Sequence, residues 1–208
     1  MATPKNNQGN FVHPTTRHTI EENAIRLFAE KGYDATSMRE IAEASEVTKP
    51  VIYYYFTSKE KLCDHLVRTG LDEFHQRLTQ VCTDSHDDVF EQMVRAVDVH
   101  FQFCKEHPEF TRFIYCLNFG PDKHKLDYDF LSYGAEIFEI MLGLIRRAVH
   151  AGIVREGKET AAAVYLRGII NDYAISFLEG LGDFEAGLAR TIVSDLITGL
   201  GNKGHGAA

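Results

Sequence analysis

The 208-residue chain predicts an all-α protein, and three observations carry that prediction. Apolar residues recur three and four positions apart along most of its length, the period of one helix face. Only five prolines interrupt the pattern, and no run of alternating Val, Ile and Thr offers the two-residue period of a half-buried strand. Cap signals stand at the ends of the periodic segments, with Ser, Thr or Pro at the starts and Gly at the stops. Hydrophobic residues at 44% and charged residues at 25% are the proportions of a globular chain.

Taken in order, residues 1–13 are polar and rich in Asn and Gly, and are expected to form a mobile arm. A first helix over about 15–31 places Ile20, Ala24, Leu27 and Phe28 on one face. Gly32 ends it, because a residue without Cβ enters the left-handed region at least cost. Ser37-Met38-Arg39-Glu40 has the spacing of a capping box and opens a short helix with Met38, Ile41 and Ala42 inward. Thr48-Lys49-Pro50 starts another, with Thr48 as N-cap and Pro50 in the first turn, where its missing N–H does no harm. Two short helices joined by a tight turn have the spacing of a helix-turn-helix. Ser58 then caps a longer helix carrying Leu62, Leu66, Leu71, Phe74 and Leu78 toward Val81. Further amphipathic helices are expected over about 86–106, 108–119, 128–151, 159–181 and 184–200. Their breaks are His107-Pro108, Gly120-Pro121, Gly152 and Gly182, and the Gly-rich tail is expected to fray.

Charge and cysteine usage narrow the function classes. The formal net charge is −8, yet residues 1–65 hold 8 Lys+Arg against 9 Asp+Glu, while residues 66–208 hold 14 against 21. The acidic excess therefore lies in the second part and leaves a polyanionic partner open for the first. Cys63, Cys82, Cys104 and Cys116 are too scattered for a disulfide framework and read as reduced thiols. The N-terminus lacks the apolar core of a signal peptide, and charges break every apolar stretch well before a membrane span is reached, so a cytoplasmic protein without a membrane role is expected. No Walker A, H-E-x-x-H or G-x-S-x-G constellation is present, so neither catalysis nor a cofactor is expected. Residues 199–204 satisfy G-x-G-x-x-G literally, but they follow a helix and open no βαβ unit. His100, Cys104 and His107 share a helical spacing that would suit a metal, but such residues are more often structural, and no metal is expected.

The stretch Thr48-Lys49-Pro50-Val51-Ile52-Tyr53-Tyr54-Tyr55-Phe56 carries the sharpest signal. Ile52 and Phe56, at i and i+4, face a core, so Tyr53 and Tyr54 offer hydroxyls outward, where phosphate oxygens accept. Lys49 stands at the end from which recognition helices enter the major groove. Lys59 lies in the first turn of the next helix, whose positive end attracts phosphate.

Over about residues 15–66 the sequence resembles the tetracycline-repressor (TetR) family of bacterial transcription regulators. The joined motifs are Leu27-Phe28-Ala29-Glu30-Lys31-Gly32-Tyr33, Thr36-Ser37-Met38-Arg39-Glu40-Ile41-Ala42, Val47-Thr48-Lys49, Ile52-Tyr53-Tyr54-Tyr55-Phe56 and Ser58-Lys59-Glu60-Lys61-Leu62. The resemblance implies an arm at 1–13, a three-helix DNA-binding domain at 14–62 and a larger helical ligand-binding and dimerisation domain at 63–208. It implies a homodimer on double-stranded operator DNA, with a small-molecule effector in the second domain shifting the separation of the two DNA-binding domains. By position, Thr36, Ser37, Tyr53, Tyr54 and Lys59 resemble phosphate contacts. Arg39, Lys49, Pro50 and Val51 resemble base-edge or thymine-methyl contacts, and Thr48 at the cap completes the set. Two residues depart from the pattern: Glu46 stands where the turn usually has Gly, and Tyr55 where His is common. A Glu with positive φ costs roughly 1 kcal/mol relative to Gly.

For the effector, an aromatic-lined cavity with a few polar anchors is the general form of a small-molecule site. Phe101, Phe113 and Phe138 are candidate walls, with Arg112, Arg167, Asn171 and Tyr173 as anchors, since Arg167 and Asn171 share a helix face. The ligand class expected is hydrophobic or aromatic. The ladders Leu166, Ile170, Tyr173, Phe177, Leu181 and Phe184, Leu188, Ile192, Leu196, Leu200 would form a dimer face in the family, though periodicity alone equally fits a monomer core. The competing reading is a helical adaptor or small-molecule-binding protein without a DNA role.

Overall fold

The computed structural model describes residues 14–83, 88–119 and 129–199. These form nine α-helices and no strand: α1 (Pro14–Lys31), α2 (Met38–Ala44), α3 (Lys49–Tyr55), α4 (Lys59–Thr83), α5 (Val89–Glu106), α6 (Pro108–Phe119), α7 (Phe130–His150), α8 (Glu159–Leu178) and α9 (Leu188–Thr198). The all-α expectation holds throughout the described residues. The arm at 1–13 and the tail beyond 199, which holds all of the G-x-G-x-x-G run but Gly199, lie outside them.

The chain packs as two compact units, Met1–Asp72 with His107–Phe130, and Glu73–Glu106 with Leu131–Ala208. The expected boundary near residue 62 falls inside α4, which continues to Thr83. In the first unit α1 packs on α2 and on α6. Ile20, Ala24 and Phe28 of α1 are fully buried, as are Ile41, Ile52 and Leu62. Phe28 stacks on Phe113 of α6 at 5.2 Å, and Gly70 of α4 leaves room for the Phe110 ring, which a Cβ there would strike. The second unit gathers α5, α7, α8 and α9 with the end of α4, around Met93, Val97, Leu144, Ile145, Ala163, Leu166, Ile170 and Val193.

Local chemistry sets the helix ends. Ser37 accepts from Glu40 N–H at 3.2 Å while the Glu40 carboxylate accepts from Ser37 N–H at 2.9 Å, the reciprocal capping box. α2 closes with Val47 N–H to Ala42 O at 2.9 Å and Glu46 N–H to Glu43 O at 3.1 Å, which forces the residue after the cap left-handed. That residue is Glu46, with φ 54, the position where the sequence places Glu in a glycine's role. Gly32, with φ 84, stops α1 as expected.

The C-terminal pair differs from expectation. α8 ends at Leu178 with Gly180 left-handed, and α9 begins only at Leu188, after a left-handed Gly187. Phe184 continues the apolar ladder but sits in the connection. Apolar spacing reports which residues are buried, and a buried loop residue satisfies it as well as a helical one.

Candidate nucleic-acid interface

The helix-turn-helix is α2 and α3 with the turn between them. α3 is two-sided. Val51 and Ile52 are buried at 1% and 0% exposure, with Phe56 behind them at 4%, while Tyr53 and Tyr54 stand out at 48% and 57%. Lys49 and Pro50 are exposed in the first turn, where the helix end carries partial positive charge. Thr48 takes the N-cap conformation (φ −83, ψ 158) but makes no side-chain cap bond. Tyr55 is half-buried, its ring edge-on to Tyr54 at 5.3 Å.

α2 offers Arg39, exposed, with Nε donating to Glu43 Oε1 at 2.7 Å. Its first turn is acidic. Lys31 and the Ser37 groups hold the Glu40 carboxyl down at about 2. Ser37 is exposed, though its hydroxyl also donates to Glu40 Oε2 at 2.9 Å.

Three of the expected contact residues stand elsewhere. Val51 is buried in the first unit's core and presents no methyl outward. A sequence reading puts Ile52 and Phe56 inward, and the core also takes Val51, the neighbour before Ile52. Thr36 is 1% exposed, and its hydroxyl donates to Leu27 O at 3.2 Å and Gly32 O at 2.9 Å, closing the end of α1. The Lys59 ammonium donates to Tyr33 O at 2.8 Å and Thr36 O at 3.0 Å and lies 4.2 Å from the Tyr33 ring centroid. It therefore clamps the α1–α2 connection. The clamped ring belongs to a buried tyrosine whose hydroxyl is pushed well above its usual range by burial and by Glu60.

A further cluster was not foreseen. Arg17 and His65 both meet Glu21 Oε1, at 2.8 and 2.9 Å, and Arg17 and His65 flank the Phe56 ring at 5.4 and 5.6 Å. It ties α1 to α4 around the end of α3. Its signal in the sequence is only the i, i+4 pair Arg17/Glu21.

The family model for "Bacterial regulatory proteins, tetR family" matches residues 20–66, the stretch that holds α2, α3 and the first turns of α4. Residues 20–66 are a helix-turn-helix segment of the tetR type. Among the chain's relatives is the probable HTH-type transcriptional regulator YttP of Bacillus subtilis, 33% identical over 102 residues and covering 49% of each chain. The HTH-type regulator YdgC of the same organism is 27% identical over 200 residues, 91% of this chain and 95% of YdgC. The chain thus spans about half the length of YttP and nearly all of YdgC. In fold it is similar to the TetR family regulator PfmR of Thermus thermophilus, with TM-score 0.73, 23% identity, and coverage of 91% of this chain and all of that one. The matching family is one of bacterial regulatory proteins.

The candidate effector residues divide between the units. Arg112 and Phe113 belong to the first, where Phe113 is 1% exposed against Phe28 and serves as core. In the second, Arg167 is exposed with its guanidinium 5.1 Å from the Phe138 ring, Asn171 is half-buried, and Tyr173 meets the buried Phe101 edge-on at 6.1 Å. Among the described residues, no group of three or more His, Cys, Asp or Glu gathers for a metal. His100 is half-buried beside Phe74, donates Nδ1–H to Ala96 O at 3.0 Å, and is held down to about 4 by desolvation. No helix of the described residues is long and apolar enough to cross a membrane.

Proposed function

We propose that this chain is a transcriptional repressor that binds a palindromic operator as a homodimer and is released by a small hydrophobic or aromatic effector. The carrying observation is the two-sided α3: Lys49, Pro50, Tyr53 and Tyr54 face outward on one short helix whose other side is wholly apolar and buried. Tyrosine hydroxyls that fix a helix against phosphates, with Lys49 and Arg39 reaching base edges, are the division of labour that groove recognition requires. Ser37 and Thr48, exposed and half-exposed, add hydroxyls at the two helix starts. Thr36, Val51 and Lys59 act by holding α1, α2 and α3 in place.

The homodimer reading rests on α8, which is apolar on more than one side. Val164, Tyr165 and Ile175 are 44%, 62% and 45% exposed, while Leu166, Ile170, Ala174 and Leu178 are buried. Val164, Tyr165, Gly168, Ile169, Ile192 and Leu196 line a groove of about 520 Å³ between α8 and α9. A second copy of the same face would cover it isologously. The effector reading draws on the aromatic rings of the second unit.

The test is binding of the full chain to the duplex upstream of its own gene across a salt series, with the mass of the free protein measured in parallel. Tight, salt-dependent binding to one palindrome by a dimer supports the reading. Salt-independent or sequence-blind binding sinks it. Ile169→Glu should yield monomer and lose operator binding together.

A further inference from the structure

The α8–α9 connection, residues 179–187, is an exposed strap held down at one place. Leu181 is 80% exposed, and Gly182, Asp183, Glu185 and Ala186 also face solvent. Left-handed glycines, Gly180 with φ 71 and Gly187 with φ 84, stand near its two ends, where backbone rotation meets little steric resistance. Between them only Phe184 is buried. Its ring stacks on Phe101 of α5 at 4.2 Å and 11°, and on Phe177 of α8 at 4.7 Å and 28°. Among the described residues Phe101 and Phe177 make no ring contact with each other, so they take opposite faces of Phe184 and form a slot one ring thick. Tyr173 meets the edge of Phe101 at 6.1 Å and is 39% exposed.

A cation stands at the mouth of this slot. The Lys105 ammonium lies 2.9 Å from Asp183 Oδ1, donates to Phe184 O at 3.0 Å and is 5.6 Å from the Phe184 ring centroid. The Asp183 carboxylate also accepts from Phe184 N–H at 2.7 Å.

We propose that the slot between Phe101 and Phe177 is a binding site for an aryl carboxylate, and that Asp183-Phe184 is the chain's own occupant of it. A phenyl ring between two rings and a carboxylate on a lysine are the two halves of such a ligand, here supplied by adjacent residues. The proposal rests on the effector-responsive reading above and narrows its ligand class to an anionic aromatic. Tethered as it is, the internal occupant competes at an effective concentration on the order of millimolar, so a ligand gains by any change that loosens the strap. When the strap swings out on its glycines, it frees the first turn of α9, the helix that carries Ile192 and Leu196 of the apolar groove.

The test is calorimetric titration of the full chain with phenylacetate and with benzyl alcohol, which has the ring without the charge. Phe184→Ala should bind phenylacetate about tenfold or more tighter than the unaltered chain, and benzyl alcohol about tenfold more weakly than phenylacetate; Lys105→Gln should abolish that preference, as loss of one charge-assisted hydrogen bond requires. Asp183→Asn keeps the ring in place and frees Lys105, so it should also bind phenylacetate more tightly than the unaltered chain. In the unaltered chain, saturating phenylacetate should speed hydrogen exchange in 179–187 as the strap is displaced. No binding by either variant, equal affinity for the charged and neutral probes, or an unchanged strap with phenylacetate bound each overturns the proposal. Operator binding enters none of these readouts, so the site can fail while the DNA-binding reading stands, and the reverse.

Discussion

Lys59→Ala separates work done on the protein from work done on DNA. The ammonium bonds two carbonyls at 2.8 and 3.0 Å and covers the Tyr33 ring at 4.2 Å. A hydrogen bond with one charged partner is worth about 1.5–3 kcal/mol. Two carbonyls that share one half-buried ammonium do not count twice, and the ring contact adds about 0.5–1 kcal/mol. The expected loss is therefore about 2–3 kcal/mol of stability, concentrated in the first unit. Urea unfolding measures this, and a salt titration of operator binding gives the complementary reading. Had Lys59 neutralised a phosphate, removing it would flatten the slope of log K against log salt by about 0.9 per subunit. We expect a lower unfolding midpoint, weaker binding at every salt concentration and an unchanged slope. A normal midpoint with the slope reduced by about 0.9 per subunit refutes the clamp.

Gly70→Ala should destabilise by about 1–3 kcal/mol in denaturant unfolding despite the better helix former, because the added methyl meets Phe110, and Phe110→Leu should recover most of the loss. His100→Leu should flatten the acid side of the stability curve. Because the folded imidazole protonates only near 4 and the unfolded one near 6.5, the unfolded state binds the extra proton between them. Stability is then lost as pH falls through that window, on the order of 3 kcal/mol in all, and the difference between the two proteins' unfolding curves measures it. Glu46→Gly should raise the free energy of unfolding by about 1 kcal/mol in urea, with no change in helix content by circular dichroism.

The helix-turn-helix was legible because its signals are local. The Ser37/Glu40 box, the Gly32 stop and Pro50 in a first turn act within four residues, and each forms as read. What was not legible depends on residues far apart in the chain. Thr36 and Lys59 resemble phosphate contacts by position, yet Leu27, Gly32 and Tyr33 carbonyls claim both. Val51 turns inward because α3 buries two adjacent side chains against the first unit's core, which a reading of i and i+4 alone understates. Phe184 kept helical spacing while serving as a loop anchor. Phe113, one of the effector candidates, is an aromatic of the right type placed in the other unit, and aromatic content cannot tell packing from a cavity wall.

The left-handed Glu46 has an evolutionary consequence. Every glutamate codon becomes a glycine codon by a single change at its second base. The turn between α2 and α3 is thus one nucleotide away from a relaxed backbone and from the loss of a negative charge beside the outward residues of α3. Both changes act in the same direction, toward a firmer domain and a stronger pull on phosphate. A Glu kept at this point leaves the turn with a left-handed non-glycine residue and a negative charge, both removable by one substitution that touches no outward residue of α3.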